Sequence, residues 1–459
     1  MGNVEAFADL DEAKLNQIHL RITVLSALGE FLDGYDLLII VGALLLIVPE
    51  FHLAAFQVGG LATAAYGGSV VGSLLSGWIA DKLGRRGVMI LDFVLFVVAA
   101  AFAAVSQNIT ELLLARFLIG VGIGGDFAPS YSLVSEIAPR NRRGTLLSSL
   151  QVFWGIGGMA AGLVGIVLFR VGGPEAWRWM FLSAVIPAII VILLRRSLPE
   201  SPRWLADRGE GDKAAVAADM LVPGSTHNKL ALLSSQPPLT KHTGRDLVRS
   251  PFLGMIITVG FMQFFNTAGG VLLFVYGPLL VTELGLTTKI GGVEFSAIEF
   301  GAFFVGTFIN MVLVEKVGRR AILWVCAAFQ ILAFGFLAIL GHTDGHLIVY
   351  LFPFVFATNV MGAVSMYTWS AEFFPTHIRA RADGILFAAT RLGAVVIGLV
   401  IPFIILIGKG ALVMVVGMIV EVLVLAIGLI WWRKETRGIS LEDMPGSVSM
   451  RSSNTSQMT

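Results

Sequence analysis

Runs of about 20 apolar residues, the length a helix needs to cross a bilayer with its backbone satisfied internally, follow one another along almost the whole chain. They fall near residues 22–49, 57–80, 88–106, 110–138, 144–169 and 177–195, then near 252–282, 290–314, 321–340, 346–373, 383–407 and 411–432. The pattern predicts an all-α membrane protein with twelve transmembrane helices in two bundles of six, spanning 22–196 and 251–433. The polar segment 197–250 reads as a linker, with 1–21 and 434–459 as flanking segments. Inside the linker the Ala/Asp/Lys stretch 203–221 has the composition of a surface helix. The Ser/Thr-rich tail after Pro445 reads as disordered.

Basic residues set the orientation, because short cytoplasmic loops hold an excess of Lys and Arg. With the start of the chain inside, those loops carry Lys82, Arg85, Arg86, Arg140, Arg142, Arg143, Lys316, Arg319, Arg320, Arg379 and Arg381, 11 in all. The outer loops carry 4: Arg170, Arg178, Lys289 and Lys409. Both termini are therefore expected in the cytoplasm of a multi-pass cell-membrane protein. The first twenty residues are mixed and acidic, without the basic start and short apolar core of a cleavable signal.

Composition agrees with a surface turned to lipid. Charged residues make up 14% of the 459, against about 25% in soluble domains, and the 52 glycines suit close helix packing in a bilayer. A net charge of +1 gives no reason to expect nucleic acid. The single cysteine, Cys326, excludes an intrachain disulfide. No metal cluster or nucleophile–base constellation stands out, so an enzyme is disfavoured, no cofactor or metal is expected, and a monomer is the expected state.

The two bundles repeat one another. Asp81-Lys82-Leu83-Gly84-Arg85-Arg86 and Glu315-Lys316-Val317-Gly318-Arg319-Arg320 lie 234 residues apart, each between the second and third spans of its half. Glu136, Pro139 and Arg143 return as Glu372, Pro375 and Arg379, 236 apart, and Glu200 returns as Glu435, 235 apart. Three motif pairs with nearly one offset indicate a parallel duplication. A six-helix unit repeated in parallel, with solute bound between the copies near mid-membrane, is the plan of an alternating-access carrier. In the second span, Gly68, Gly72 and Ser76, and Ser69, Ser73 and Gly77, place small residues at every fourth position, where helix backbones can approach closely.

Ionisable groups inside spans are costly and mark function. Glu30, Asp33 and Asp36 are three residues apart, so they form one acidic stripe on the first span. Asp36 lies ~21 Å in from the cytoplasmic start of that span at 1.5 Å per residue, which in a ~30 Å core leaves ~9 Å to the outer face. Arg116, six residues into the oppositely directed fourth span, is also ~9 Å from that face. The two are expected to meet. Either Asp36 takes up and releases a transported proton under the control of Arg116, since a carboxylate parted from its guanidinium prefers its proton, or the two form a permanent structural pair. Asp33 and Asp126 are further candidates for proton or substrate work, with Glu30 on the same stripe. In the second half Glu299 with Arg391 reads either as a solute-facing pair or as a structural one, and Glu421 reads as structural.

Gly77-Trp78-Ile79-Ala80-Asp81-Lys82-Leu83-Gly84-Arg85-Arg86 is similar to the signature loop of the major facilitator superfamily. Pro199-Glu200-Ser201-Pro202-Arg203-Trp204-Leu205 and Glu435-Thr436-Arg437-Gly438-Ile439-Ser440-Leu441-Glu442 resemble sugar-porter signatures, with Lys434 where that family has proline. The resemblance implies a carrier coupled to protons, with Gly34-Tyr35-Asp36 and Arg116-Phe117-Leu118-Ile119-Gly120 at the places of the sugar porters' coupling Asp and Arg. Asp33-Gly34-Tyr35-Asp36 also resembles the first span of aromatic-acid:proton symporters. Gly124-Gly125-Asp126-Phe127-Ala128-Pro129-Ser130 resembles the fourth span of phosphate:proton symporters, although the aspartate of that family's seventh span is absent.

Facing charges at helix ends can latch the cytoplasmic side. Asp81 is matched with Arg143 or nearby arginines, Glu315 with Arg379, Glu136 with Arg85 or Arg86, and Glu372 with Arg319 or Arg320; the alternative is that these groups only set topology and solvate loops. For the solute, Gln263, Asn266 and Thr267 in span seven and Asn359, Tyr367 and Trp369 in span ten supply amides and aromatic faces. Tyr367 matches an aromatic that stacks on sugar in sugar porters, but Phe265-Asn266 and Gly158 replace that family's glutamines. Arg116 and Arg391 would suit a carboxylate. A sugar or polyol and a small organic acid stand level as solutes, phosphate behind them. An uncoupled facilitator stays open, and a drug:proton antiporter is less expected because 155–162 lacks that class's proline.

Overall fold

The computed structural model describes residues 3–223, 247, 252–283, 289–340, 345–406, 410–431 and 435–441, and among them it holds helices and no strand. A short α1 (Asn3–Asp11) precedes α2 (Gln17–Glu50), α3 (Ala55–Leu83), α4 (Arg85–Val105), α5 (Ile109–Ile137) and α6 (Arg143–Val171). The sixth crossing is made by α7 (Ala176–Ser183) and α8 (Val185–Arg195) together, and α9 (Pro202–Asp207) and α10 (Gly211–Leu221) follow. The second set is α11 (Phe252–Glu283), α12 (Lys289–Val317), α13 (Arg319–Leu340), α14 (Gly345–Phe373), α15 (Thr376–Leu406) and α16 (Gly410–Trp431). Among the described residues ten spans are long and apolar enough to cross a bilayer, and α14 and the apolar stretch Met414–Ile430 of α16 complete twelve. Residues 224–246 of the expected linker, Lys409, Lys434 and the tail beyond 441 lie outside the described residues.

Local chemistry explains the boundaries. Asn16 caps α2 by accepting from the backbone N–H of Ile18 (2.9 Å) and His19 (3.1 Å). The turns from α3 to α4 and from α12 to α13 pass through Gly84 and Gly318 at φ 96° and 98°, a region that side chains disfavour. The sixth crossing breaks at Ala184 because Pro187 has no N–H to give the carbonyl of Ser183. The stretch 203–221 is not one surface helix: Gly209, at φ 78°, separates α9 from α10.

Packing repeats the duplication. In the first half α2 packs on α6, α3 on α5 and α4 on α8; in the second, α11 packs on α15, α12 on α14 and α13 on α16. The halves join where α3 meets α15 and α6 meets α12. Small residues set these distances. A Cβ on Gly72 would lie 2.1 Å from the Val121 carbonyl of α5, and one on Gly77 would lie 2.4 Å from the Ala380 carbonyl of α15. The small residues of α3 therefore serve two neighbours, one inside its own half and one across the divide.

Candidate functional site

Between the halves lies a cavity of about 120 Å³. A single water needs at least about 10 Å³ by that kind of measure, so there is room for a small solute. From the first half its wall takes Glu30 and Asp33 (α2), Tyr66 (α3), and Gln151 and Trp154 (α6). From the second it takes Asn266 and Thr267 (α11), Asn359 and Tyr367 (α14), and Thr390 and Arg391 (α15), with Phe303, Phe356 and Phe387 as apolar faces. Amides, hydroxyls and rings from both halves thus converge on one chamber, as a carrier needs.

The acidic stripe of α2 is held along its whole length. Gln151 Nε2 donates to Glu30 Oε2 at 3.1 Å and lies at the same distance from the Tyr131 hydroxyl. Asp33 Oδ2 accepts from Trp154 Nε1 at 3.0 Å and from Arg391 Nη2, which reaches it from the other half. Asp36 Oδ2 accepts from Arg116 Nη1 at 2.6 Å, with both side chains sealed from solvent. Removing one partner of such a buried pair costs about 3–5 kcal/mol, because the survivor is left charged and dry. Asp126 stands behind the cavity, paired with Arg195 of α8 and accepting from Ser130 at 3.1 Å.

Several sequence expectations need correction. Arg391 pairs with Asp33 rather than Glu299, because α15 faces α2 across the cavity. Glu299 is buried on α12, and among the described residues neither carboxylate oxygen has a hydrogen-bond partner. Trp369 packs among Phe252, Met366, Phe373 and Phe374, so it supports α11 against α14 and does not line the cavity. Gln263 sits behind the wall, accepting from Thr390 Oγ1 at 3.3 Å. Glu421 accepts from the cavity residue Asn359 at 3.3 Å. Tyr66, Gln151, Trp154 and Arg195 were missed by sequence reasoning. Gln151 carried a signal, since it is an amide in an apolar span.

The end of the bundle bearing the two Gly-Arg-Arg turns, here called the basic end, is latched. Glu136 Oε1 accepts from Arg85 Nη2 (3.0 Å) and from Arg379 Nη1 (2.9 Å), and Arg85 also donates to the Thr376 carbonyl at 2.9 Å. In the second half Arg319 Nη2 gives the matching contact to Glu372 at 2.6 Å. Asp81 lies 3.5 Å from Arg85 and 3.1 Å from Arg381. Glu315 binds Arg319 and accepts from the Gly144 backbone N–H across the divide at 2.5 Å. The expected Asp81–Arg143 and Glu315–Arg379 pairs do not form. Arg379 starts α15 and meets the end of α5, while Arg143 is taken by Asp11 of α1 at 2.7 Å. Arg86 turns outward to the Arg196 carbonyl at 2.5 Å, and Arg320 lies over the Trp324 ring.

The sugar-porter-like motifs act as matched caps. Glu200 accepts from the backbone N–H of Arg85 (3.0 Å) and Arg86 (3.2 Å), and Glu435 from those of Arg319 (3.2 Å) and Arg320 (3.0 Å). Each carboxylate sits on a helix N-terminus, where the dipole favours it. Asp11 ties a further corner together. It also accepts from Arg203 at 2.9 Å and from Ser440 at 2.6 Å.

Two six-helix halves around a chamber that both of them line, latched at one end by buried ion pairs, define a membrane transporter of the major facilitator fold. The chain belongs to the Sugar (and other) transporter family, whose profile matches residues 22–447. It is 28% identical over 445 residues to the inner membrane metabolite transport protein YgcS of Escherichia coli K12, covering 94% of this chain and 95% of that one. It is 31% identical over 384 residues to the arabinose-proton symporter of Bacillus subtilis 168, covering 80% and 81%. In structure it is similar to the proton:xylose symporter XylE bound to 6-bromo-6-deoxy-D-glucose, with a TM-score of 0.83, 23% identity, and 93% and 98% of the two chains covered.

Proposed function

We propose that this protein is a proton-coupled symporter that moves a small polar organic solute, a sugar or polyol or an organic acid, by alternating access. The observation that carries the reading is the buried Asp36–Arg116 pair at 2.6 Å. A shift of α2 against α5 inside the first half, coupled to the rocking of the two halves, strips the guanidinium from Asp36, and a carboxylate left alone in a dry site holds a proton. Bringing the pair together again expels it. Arg116 thus times the proton, while the chamber between the halves holds the solute. Likeness to an arabinose-proton symporter and to a proton:xylose symporter supports this coupling.

The excess of basic residues at the latched end supports a cytoplasmic position for that end, in a protein of the cell membrane with cytoplasmic termini. On this orientation the latch closes the chamber toward the cytoplasm in the state described. A monomer suffices, since the one chain supplies both halves of the chamber, and the partners are the solute, protons and lipid, not nucleic acid.

The test is uptake by proteoliposomes of sugars, aromatic acids, dicarboxylates and phosphate, with and without an inside-alkaline gradient. One solute class should accumulate above equilibrium only when the gradient is imposed. Equal uptake with and without it would contradict coupling.

A further inference from the structure

We propose that the solute is an organic acid whose carboxylate displaces Asp33 from Arg391, and that the displaced Asp33 takes up a proton in the same step. This rests on the symport reading above and narrows its solute class.

Asp33 and Arg391 come from opposite halves and meet in the cavity wall, at 6% and 9% side-chain exposure. A solute lodged between the halves must press on this bridge. The bridge is also half made: Arg391 donates through Nη2, and among the described residues its Nε has no acceptor and Asp33 Oδ1 has no donor. A guanidinium presents a planar fork suited to both oxygens of a carboxylate, and this fork is used on one side only. Phe387, itself stacked on Phe127, lies under it with the guanidinium carbon 4.5 Å from the ring centre and holds the fork in place at the cavity wall.

Charge settles the rest. The groups facing Asp33 are Glu30 and Asp36 on its own helix, Asp126 on α5, Tyr66 on α3, the Trp154 N–H on α6 and Arg391 on α15. Asp36 and Asp126 each have an arginine of their own. Among the described residues the chamber is lined by two acids, Glu30 and Asp33, and one cation, Arg391. An entering carboxylate that takes Arg391 leaves the Asp33 charge with no cation to balance it, which a dry site does not hold. The chamber returns to its former charge if the acid that lost its guanidinium is protonated. The exchange is balanced: one R–COO⁻ and one proton enter, Arg391 passes from Asp33 to the solute, and Asp33 becomes a neutral carboxylic acid. Release runs the steps backwards. This proton is additional to the one on Asp36. A neutral polyol has no such effect, because it leaves the Asp33–Arg391 pair matched.

The test compares acid and neutral partners of like shape, benzoate with benzamide and glucuronate with glucose. Binding to the purified full-length protein is measured with a pH indicator present, and uptake is measured in proteoliposomes. One acid should bind at least about tenfold better than its neutral partner, and wild type should take up about one more proton per acid bound than Asp33→Asn. Arg391→Lys, which keeps the charge and loses the fork, should weaken acid binding about tenfold or more. Should Asp33→Asn not fold, the wild-type preference and proton uptake still decide. Gradient-driven uptake of the neutral partners alone would overturn the exchange and leave symport standing, as would acid binding with no proton taken up. Acid uptake indifferent to an imposed proton gradient would overturn both.

Discussion

Glu136 holds two guanidiniums at once, Arg85 from its own half and Arg379 from the other, and all three side chains are sealed from solvent. Such an arrangement is stable only while complete, because two cations left facing each other in a dry site repel and lack solvation. Glu136→Gln should destabilise the latched state by about 3–5 kcal/mol and tip the carrier toward opening at the basic end. The check is the alkylation rate of a cysteine placed at Ala371, which is fully buried in a cluster built from both halves, in a background where Cys326 is removed. The rate should rise about tenfold or more, a shift of ~1.4 kcal/mol giving each factor of ten; an unchanged rate would contradict the latch. At this scale the sequence told which residues were costly in a membrane, not whom they meet. Asp36 and Arg116 could be paired because both lie on neighbouring spans of one half, where depth alone decides. Arg379 and Arg391 find their acids across the divide, and only the crossing of α15 against α5 and α2 determines those contacts. Tyr66 and Trp154 escaped because a ring in an apolar span looks like packing until the chamber it faces is known.

Two elements carry predictions of their own. On α3, Gly72 touches α5 and Gly77 touches α15. Gly72→Val should disrupt the first half and lower expression and melting temperature sharply. Gly77→Val should leave each half folded but wedge the basic end apart, so that the cysteine at Ala371 is alkylated faster with a smaller loss of melting temperature. Similar behaviour of the two variants would contradict this division of faces. The second element is α1. Burial pushes the Asp11 carboxyl up, but Arg203, Arg143 and the Ser440 hydroxyl outweigh it and leave it at about 2, below the usual 3.8. A group whose folded value is depressed adds stability above its unfolded value and loses it as pH falls through the folded one. The clasp is therefore complete above about pH 4 and fades toward pH 2, and it contributes roughly 2 kcal/mol. Asp11→Asn should melt below wild type at pH 6, with the gap narrowing as pH drops below 4; a gap independent of pH would contradict the clasp. The long apolar spans were legible as elements, because lipid demands an unbroken run. The α1 helix was not, since its reason to fold lies in Phe7 and Leu10 packing against the α9–α10 region, far along the chain.

At the scale of the whole molecule, the duplication was readable because three motifs recur at nearly one offset, and the structure gives each copy the same task. Glu200 and Glu435 cap the third helix of their halves, and Arg85 and Arg319 reach back to Glu136 and Glu372. What a single sequence does not encode visibly is which end is shut, since a carrier must pass through both states and its motifs serve each. The latched basic end, the shared chamber and the sealed Asp36–Arg116 pair are the parts on which the proposed coupling of proton and solute rests. The most direct test is Asp36→Asn in proteoliposomes, with gradient-driven accumulation and solute exchange measured side by side. The account predicts that accumulation under an inside-alkaline gradient is lost while exchange persists. Accumulation that keeps its wild-type proton dependence would contradict it.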